Sequence, residues 1–132
     1  MNNQKKGRDL EHRMAEYLSK LGFWVHFMNP APDGSQPFDL IALNGDETSI
    51  SILAIDCKTL EGRRFPLDRV EDNQRLAFEA LNRRSINSTY FAVEMEYNKV
   101  CLIPSQSVIQ AIDEGLKSIP VEDYTYAHLC LE

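Results

Sequence analysis

An acid and a base, Asp56 and Lys58, stand two residues apart at the end of one apolar run. The run Ile50–Ile55 reads as a strand. Side chains alternate faces along a strand, so Asp56 and Lys58 share a face and Cys57 opposes them. A second acid, Asp39, opens the neighbouring apolar run Phe38–Leu43. Asn44-Gly45 between the two runs is a hairpin signal. A hairpin brings both carboxylates to the same end of the sheet. Crowded carboxylates repel unless they are protonated or bridged by a cation. Oxygen-only ligands favour Mg²⁺, with Mn²⁺ as a substitute, over zinc. Such a cation polarises a phosphate oxygen and activates a bound water. Lys58 would orient that water and stabilise developing charge. The chemistry that uses this set is metal-assisted phosphodiester cleavage.

Two further residues join it. On the helix expected to follow, Val70, Ala77, Phe78 and Leu81 define the apolar face, and Gln74 falls within about 20° of its middle. A buried amide needs partners, and Lys58 or a group at the metal site can supply them. On the first helix Glu11 lies about 75° from the apolar stripe and Glu16 about 145° from it. Glu11 therefore reaches toward the sheet, while Glu16 points to solvent. Gly7, on the core side, permits close packing.

These residues need elements to carry them. Leu10, Met14, Tyr17, Leu18 and Leu21 recur at helical spacing over Lys5–Lys20, and Gly22 is a natural stop. Phe23–Met28 reads as a strand and Asn29–Pro37, with three prolines and a glycine, as a loop. Then come the strands Phe38–Leu43 and Ile50–Lys58 and a loop, Thr59–Leu67. A helix capped by Asp68 reaches Arg84. Strands Thr89–Glu94 and Val100–Ile103 precede a helix capped by Ser105 and ending near Gly115. The order α-β-β-β-α-β-β-α implies an α/β fold with a mixed sheet flanked by helices.

Bulk properties bound the function. The 132 residues suit a single domain, 1–132. No apolar run is long enough for a membrane span, and the polar opening MNNQKKGRDL reads as no signal peptide. The three cysteines, Cys57, Cys101 and Cys130, read as reduced thiols of a cytoplasmic protein. Net charge is −6, but residues 91–132 carry seven acids and two bases, whereas residues 1–90 carry thirteen acids and twelve bases. Acids that hold a cation would leave a basic surface. Lys5, Lys6, Arg8, Arg63, Arg64, Arg69 and Arg75 are the candidate phosphate contacts. His12, His26 and His128 have no metal-ligand spacing, no phosphate-binding Gly loop is present, and Trp24 with the nearby aromatics reads as core rather than as a base-stacking platform.

The pattern resembles the PD-(D/E)xK nuclease superfamily, whose core is αβββαβ with an acid opening one strand and (D/E)xK ending the next. Phe38-Asp39 stands in the first place and Asp56-Cys57-Lys58 in the second. The stretch IDCKTLEGRRFPLDRVEDNQ, with Phe65, Pro66, Leu67 and Gln74, is similar to that of RecU-type Holliday junction resolvases, as is Gly7-Arg8-Asp9-Leu10-Glu11. Phe replaces Pro before Asp39, and Asp56 stands where RecU-type proteins usually carry Glu. Asn29–Pro37 is too short for their stalk. The resemblance implies a restriction-endonuclease-like core with a C-terminal strand and helix. It also implies a Mg²⁺-dependent DNA endonuclease of recombination and repair, acting on branched DNA as a homodimer. Glu11, Asp39, Asp56, Lys58 and Gln74 would be catalytic. Glu11, Asp39, Asp56 and the Cys57 backbone carbonyl would hold the metal. Other readings are a nuclease for other DNA structures, or a DNA- or protein-binding module that keeps the fold.

Overall fold

The helical stripe of Leu10, Met14 and Leu18 has one sheet face to cover, and the helices that follow cover the other. The structure, a computed structural model, describes residues 3–29 and 36–132, and only the backbone of residues 3–7. Its elements are α1 Asn3–Lys20, β1 Trp24–Phe27, β2 Leu40–Gly45, β3 Ile50–Thr59, β4 Arg64–Pro66, α2 Asp72–Arg83, β5 Thr89–Glu96, β6 Lys99–Pro104, α3 Ser105–Asp113, β7 Ser118–Pro120, α4 Val121–Tyr124 and β8 Ala127–Cys130. Six strands form one sheet in the order β1-β2-β3-β5-β6-β8, and β4 pairs with β7 in a second. Only β3 and β5 run parallel; the other neighbours are antiparallel. A parallel pair needs a long crossover, and the segment through α2 provides it.

Leu10, Met14 and Leu18 pack on Leu40, Ala42, Ile55, Cys57, Ala92 and Val100 from one side. On the other side Phe65, Phe78, Phe91, Ile103, Val108 and Ile119 form the second core. Each buried Phe or Ile contributes about 1.5–3 kcal/mol relative to exposure. Phe65 matters most for the site: it is fully buried and fastens the loop after β3 into this core. Gly22, at φ +100°, ends α1. Its N–H donates to Ser19 O at 3.0 Å and that of Phe23 to Leu18 O at 3.0 Å, a Schellman closure that a left-handed glycine permits.

Several expectations are corrected. Glu71, not Asp68, caps α2; Asp68 sits in a 3-10 turn, Leu67–Arg69. Ser105 is the first residue of α3 rather than its cap, and its buried hydroxyl bonds Thr89 Oγ1 at 2.6 Å. The tail, beyond the last helix expected from the sequence, adds β8 to the sheet edge. Trp24 is not core but 60% exposed. Among the described residues, no helix is long and apolar enough to cross a membrane.

Candidate active site

The strand alternation read from the sequence holds. The Asp56 and Lys58 side chains turn toward α2, where both meet Gln74. Cys57 turns toward α1 and is buried in its core. Asp39 lies one residue before β2, held there by its neighbours. Its N–H donates to Ile55 O at 3.1 Å, and buried Phe38 stacks on Phe78 with ring centroids 5.6 Å apart. Asp39 Oδ2 accepts the Cys57 N–H at 2.7 Å, and Oδ1 accepts from Gln36 Nε2 at 3.1 Å. The β2–β3 register ends at Leu40 and Ile55. Cys57 thus has no β2 ladder partner. The N–H and C=O of one residue lie on the same side of a strand, so the Cys57 carbonyl also points to the Asp39 side.

Gln74 acts at two levels. It is the third residue of α2 and completes a capping box with Glu71, whose N–H donates to Gln74 Oε1 at 3.1 Å. The same oxygen lies 3.4 Å from Lys58 Nζ, and Gln74 Nε2 donates to Asp56 Oδ1 at 3.0 Å. The start of α2 is thereby tied to the charged end of β3. This is why a polar residue occupies the middle of an apolar helix face.

Asp56 is 1% exposed. Its Oδ2 accepts no hydrogen bond; Lys58 Nζ stands 3.1 Å away, at ion-pair distance but out of hydrogen-bond alignment. Burial, and then the charge of Asp39, push the Asp56 carboxyl up to about 8, against the opposing pull of Lys58. Glu11 is half-buried and also pushed up to about 8, first by burial and then by the charge and hydrogen bond of Asp39. Glu16, by contrast, is exposed and pairs with Lys20 at 3.2 Å. Three acids therefore crowd one end of the sheet, two of them driven toward the neutral form.

A divalent cation fits this arrangement by its chemistry. Asp56 Oδ2 is a buried oxygen without a hydrogen bond, the donors are all oxygen, and a cation offsets the burial and the repulsion that raise both carboxyls. Among the described residues, no three His, Cys, Asp or Glu side chains already stand in a metal-ligand arrangement. Glu11, Asp39, Asp56 and the Cys57 carbonyl are the groups that could hold the ion.

The basic residues divide. Arg63 is exposed and pairs with Glu122 at 3.0 Å; Arg64, also exposed, donates to Ser118 Oγ at 2.9 Å. Arg8 is exposed and its charge lowers the Glu11 carboxyl, so it lies near the site. Arg69 donates to Thr59 O at 2.6 Å and braces the end of β3. Arg75 binds Glu79 and Asp113, which ties α2 to α3. The side chains of Lys5, Lys6 and Gly7 lie outside the described residues.

Sequence reading missed two supports. One is Gln36, which holds the second oxygen of Asp39 while Asn73 of α2 donates to its carbonyl. The other is Arg13, which binds Asp9 at 2.8 Å, Glu94 Oε1 at 2.8 Å and Asn98 at 3.0 Å, and stacks over Tyr97. This network fixes the rotation of α1 two residues from Glu11. Nothing in a run of helical charges marks Arg13, since its partners lie far along the chain.

No protein-family model matches the chain, and no curated protein matches it. Among solved structures it is similar to Hjc of Archaeoglobus fulgidus, a Holliday junction resolvase from an archaeal hyperthermophile. The TM-score is 0.56 at 20% identity, covering 76% of this chain and 78% of that one. The two share a fold. The nuclease-like α/β architecture expected from the strand order and the acid-x-Lys pattern is therefore the one the chain adopts. An identity of 20% carries that fold and no more.

Proposed function

We propose that this protein is a divalent-metal-dependent DNA endonuclease that acts on branched DNA, resembling the RecU-type resolvases but without a stalk. The observation that carries this reading is the convergence of Asp39, Asp56, Lys58 and Gln74 at one end of a resolvase-like sheet. Asp39, Asp56, Glu11 and the Cys57 carbonyl would hold Mg²⁺ or Mn²⁺. When bound, the ion supplies Lewis-acid polarisation of a phosphate oxygen and a water acidified toward neutral pH. Lys58 keeps its ammonium next to Asp56, where it can donate to a phosphate oxygen as charge grows in the transition state. Gln74 holds both Lys58 and Asp56 in place. Gln36 and the Cys57 N–H orient Asp39.

Arg63 and Arg64 remain the proposed phosphate contacts on the loop after Lys58. The Arg63–Glu122 pair is exposed on both sides; such pairs contribute about 0–1 kcal/mol and yield readily to a phosphate. Replacing both arginines by alanine should weaken DNA binding and lower its salt slope by about 0.9 for each phosphate no longer neutralised. A slope equal to the wild type would remove them from the interface.

Two symmetric cuts in a junction need two sites, which a two-fold dimer supplies. The test of function is purified protein with labelled four-way junction, flap, duplex and single strand, with Mg²⁺ or with EDTA. Junction cleavage in Mg²⁺ alone, above that of duplex, is expected. DNA binding without cleavage in Mg²⁺ or Mn²⁺ would leave a binding module with a nuclease fold.

A further inference from the structure

The face of the sheet that carries the site is covered unevenly. Pairing across β1, β2 and β3 sets its side chains in rows. Trp24, Leu43 and Ile52 form one row; His26, Ile41 and Ala54 form the next. The Met28 N–H then donates to Asp39 O at 2.9 Å, and Asp39 leads to Asp56 in the third. Val25 and Phe27 point the other way, into the α1 core. Among the described residues, the helices on the site's side pack mainly over β5 and β6. Trp24 is thus 60% exposed, and the His26 ring, also exposed, stacks on it with centroids 5.7 Å apart and planes 9° apart. Along the strand Trp24 lies four residues, about 13 Å, and His26 two residues, about 7 Å, from the carboxylate row.

We infer that Trp24 and His26 form a stacking platform for an unstacked base of the DNA substrate near the cleavage site. This rests on the nuclease reading and adds the part of the substrate that the carboxylates cannot recognise. Two observations favour a base as the occupant. A flat aromatic pair offers a π face to any nucleobase, whatever its sequence. The platform is also continuous, on one sheet face, with the groups proposed to meet the phosphate. Branched DNA provides unstacked bases there, and fully paired duplex does not. The platform would therefore contribute preference for branched over paired DNA, while Arg63 and Arg64 contribute charge.

Trp24 is the one tryptophan in the chain, so its fluorescence reports the platform directly. Wild-type protein in EDTA, where no cleavage is expected, is titrated with a four-way junction, a flap and a paired duplex. Anisotropy of the labelled DNA is followed alongside tryptophan emission. Junction and flap should quench Trp24, and duplex much less. Trp24→Ala should weaken junction binding about five-fold or more with the salt slope unchanged, because every phosphate stays neutralised as before. Trp24→Phe should restore most of the affinity. Saturating junction that leaves the emission unchanged, or Trp24→Ala binding as tightly as wild type, would overturn the platform while leaving the nuclease reading in place. Failure of the wild type to bind or cut any DNA would remove the nuclease reading itself, and the platform with it. A Trp24→Ala protein with altered sedimentation but unaltered DNA binding would mark the face as an interface between copies, which also overturns the proposal.

Discussion

Asp56→Asn should lower cleavage of branched DNA by more than about 100-fold, the upper end of what a change in a metal's outer shell costs. DNA binding should survive the change. The substitution keeps the volume of a side chain that is 1% exposed, and removes the charge that would hold the cation. Lys58→Ala should lower the rate by about 10²–10³, the cost of removing one donor to transition-state charge. It should also leave Asp56 without its ion-pair partner, with Gln74 as its remaining polar partner among the described residues. Single-turnover cleavage with a parallel binding measurement separates the two effects. Near wild-type cutting by Asp56→Asn would exclude that residue from the site.

The second large effect concerns pH. In EDTA the site has no added cation, and the raised carboxyls act on stability. Unfolded, Glu11 and Asp56 titrate near 4; folded, both sit at about 8. Between these values the native state binds more protons than the unfolded one, so their contribution to stability falls as pH rises. It is fully present below about 4 and lost by the time pH passes 8. The expected result is a melting temperature of the metal-free protein that declines from pH 5 to pH 8. Glu11→Gln should flatten part of that decline, since an amide does not titrate. Glu16→Gln should not, because Glu16 is exposed beside Lys20. Equal effects at the two positions would place Glu11 outside the cluster.

Residue patterns revealed the site more readily than its supports. Asp56 and Lys58 were visible because charges end a buried strand, and Gln74 because an amide interrupts an apolar helix face. Both are local signals with fixed periods, and the sheet in which they meet follows from the hairpin and the crossover. Gln36 was hidden because it lies in a proline-rich stretch whose conformation no period dictates. Arg13 was hidden because Glu94 and Asn98 approach it only through the tertiary fold. The segments β4, β7, α4 and β8 are three or four residues each, too short for periodicity to register. Glu71 displaced Asp68 as the cap because Gln74 lies three residues after it and closes the box from the other side. Trp24 was misread for another reason. Alternation tells which residues share a face of β1, but not which face a helix will cover.

The proposed chemistry depends on the crowded carboxylates holding a divalent cation. The most direct test is thermal unfolding of the wild type and of Asp56→Asn at pH 8, with Mg²⁺ or Mn²⁺ raised from zero against EDTA. A ligand that binds only the native state stabilises it by RT ln(1 + [L]/Kd), about 2.7 kcal/mol at 100 times Kd. The wild-type midpoint should rise with metal concentration, and the Asp56→Asn midpoint should stay nearly flat. A wild-type midpoint indifferent to both ions, or an equal rise in the two proteins, would contradict a metal site at these carboxylates.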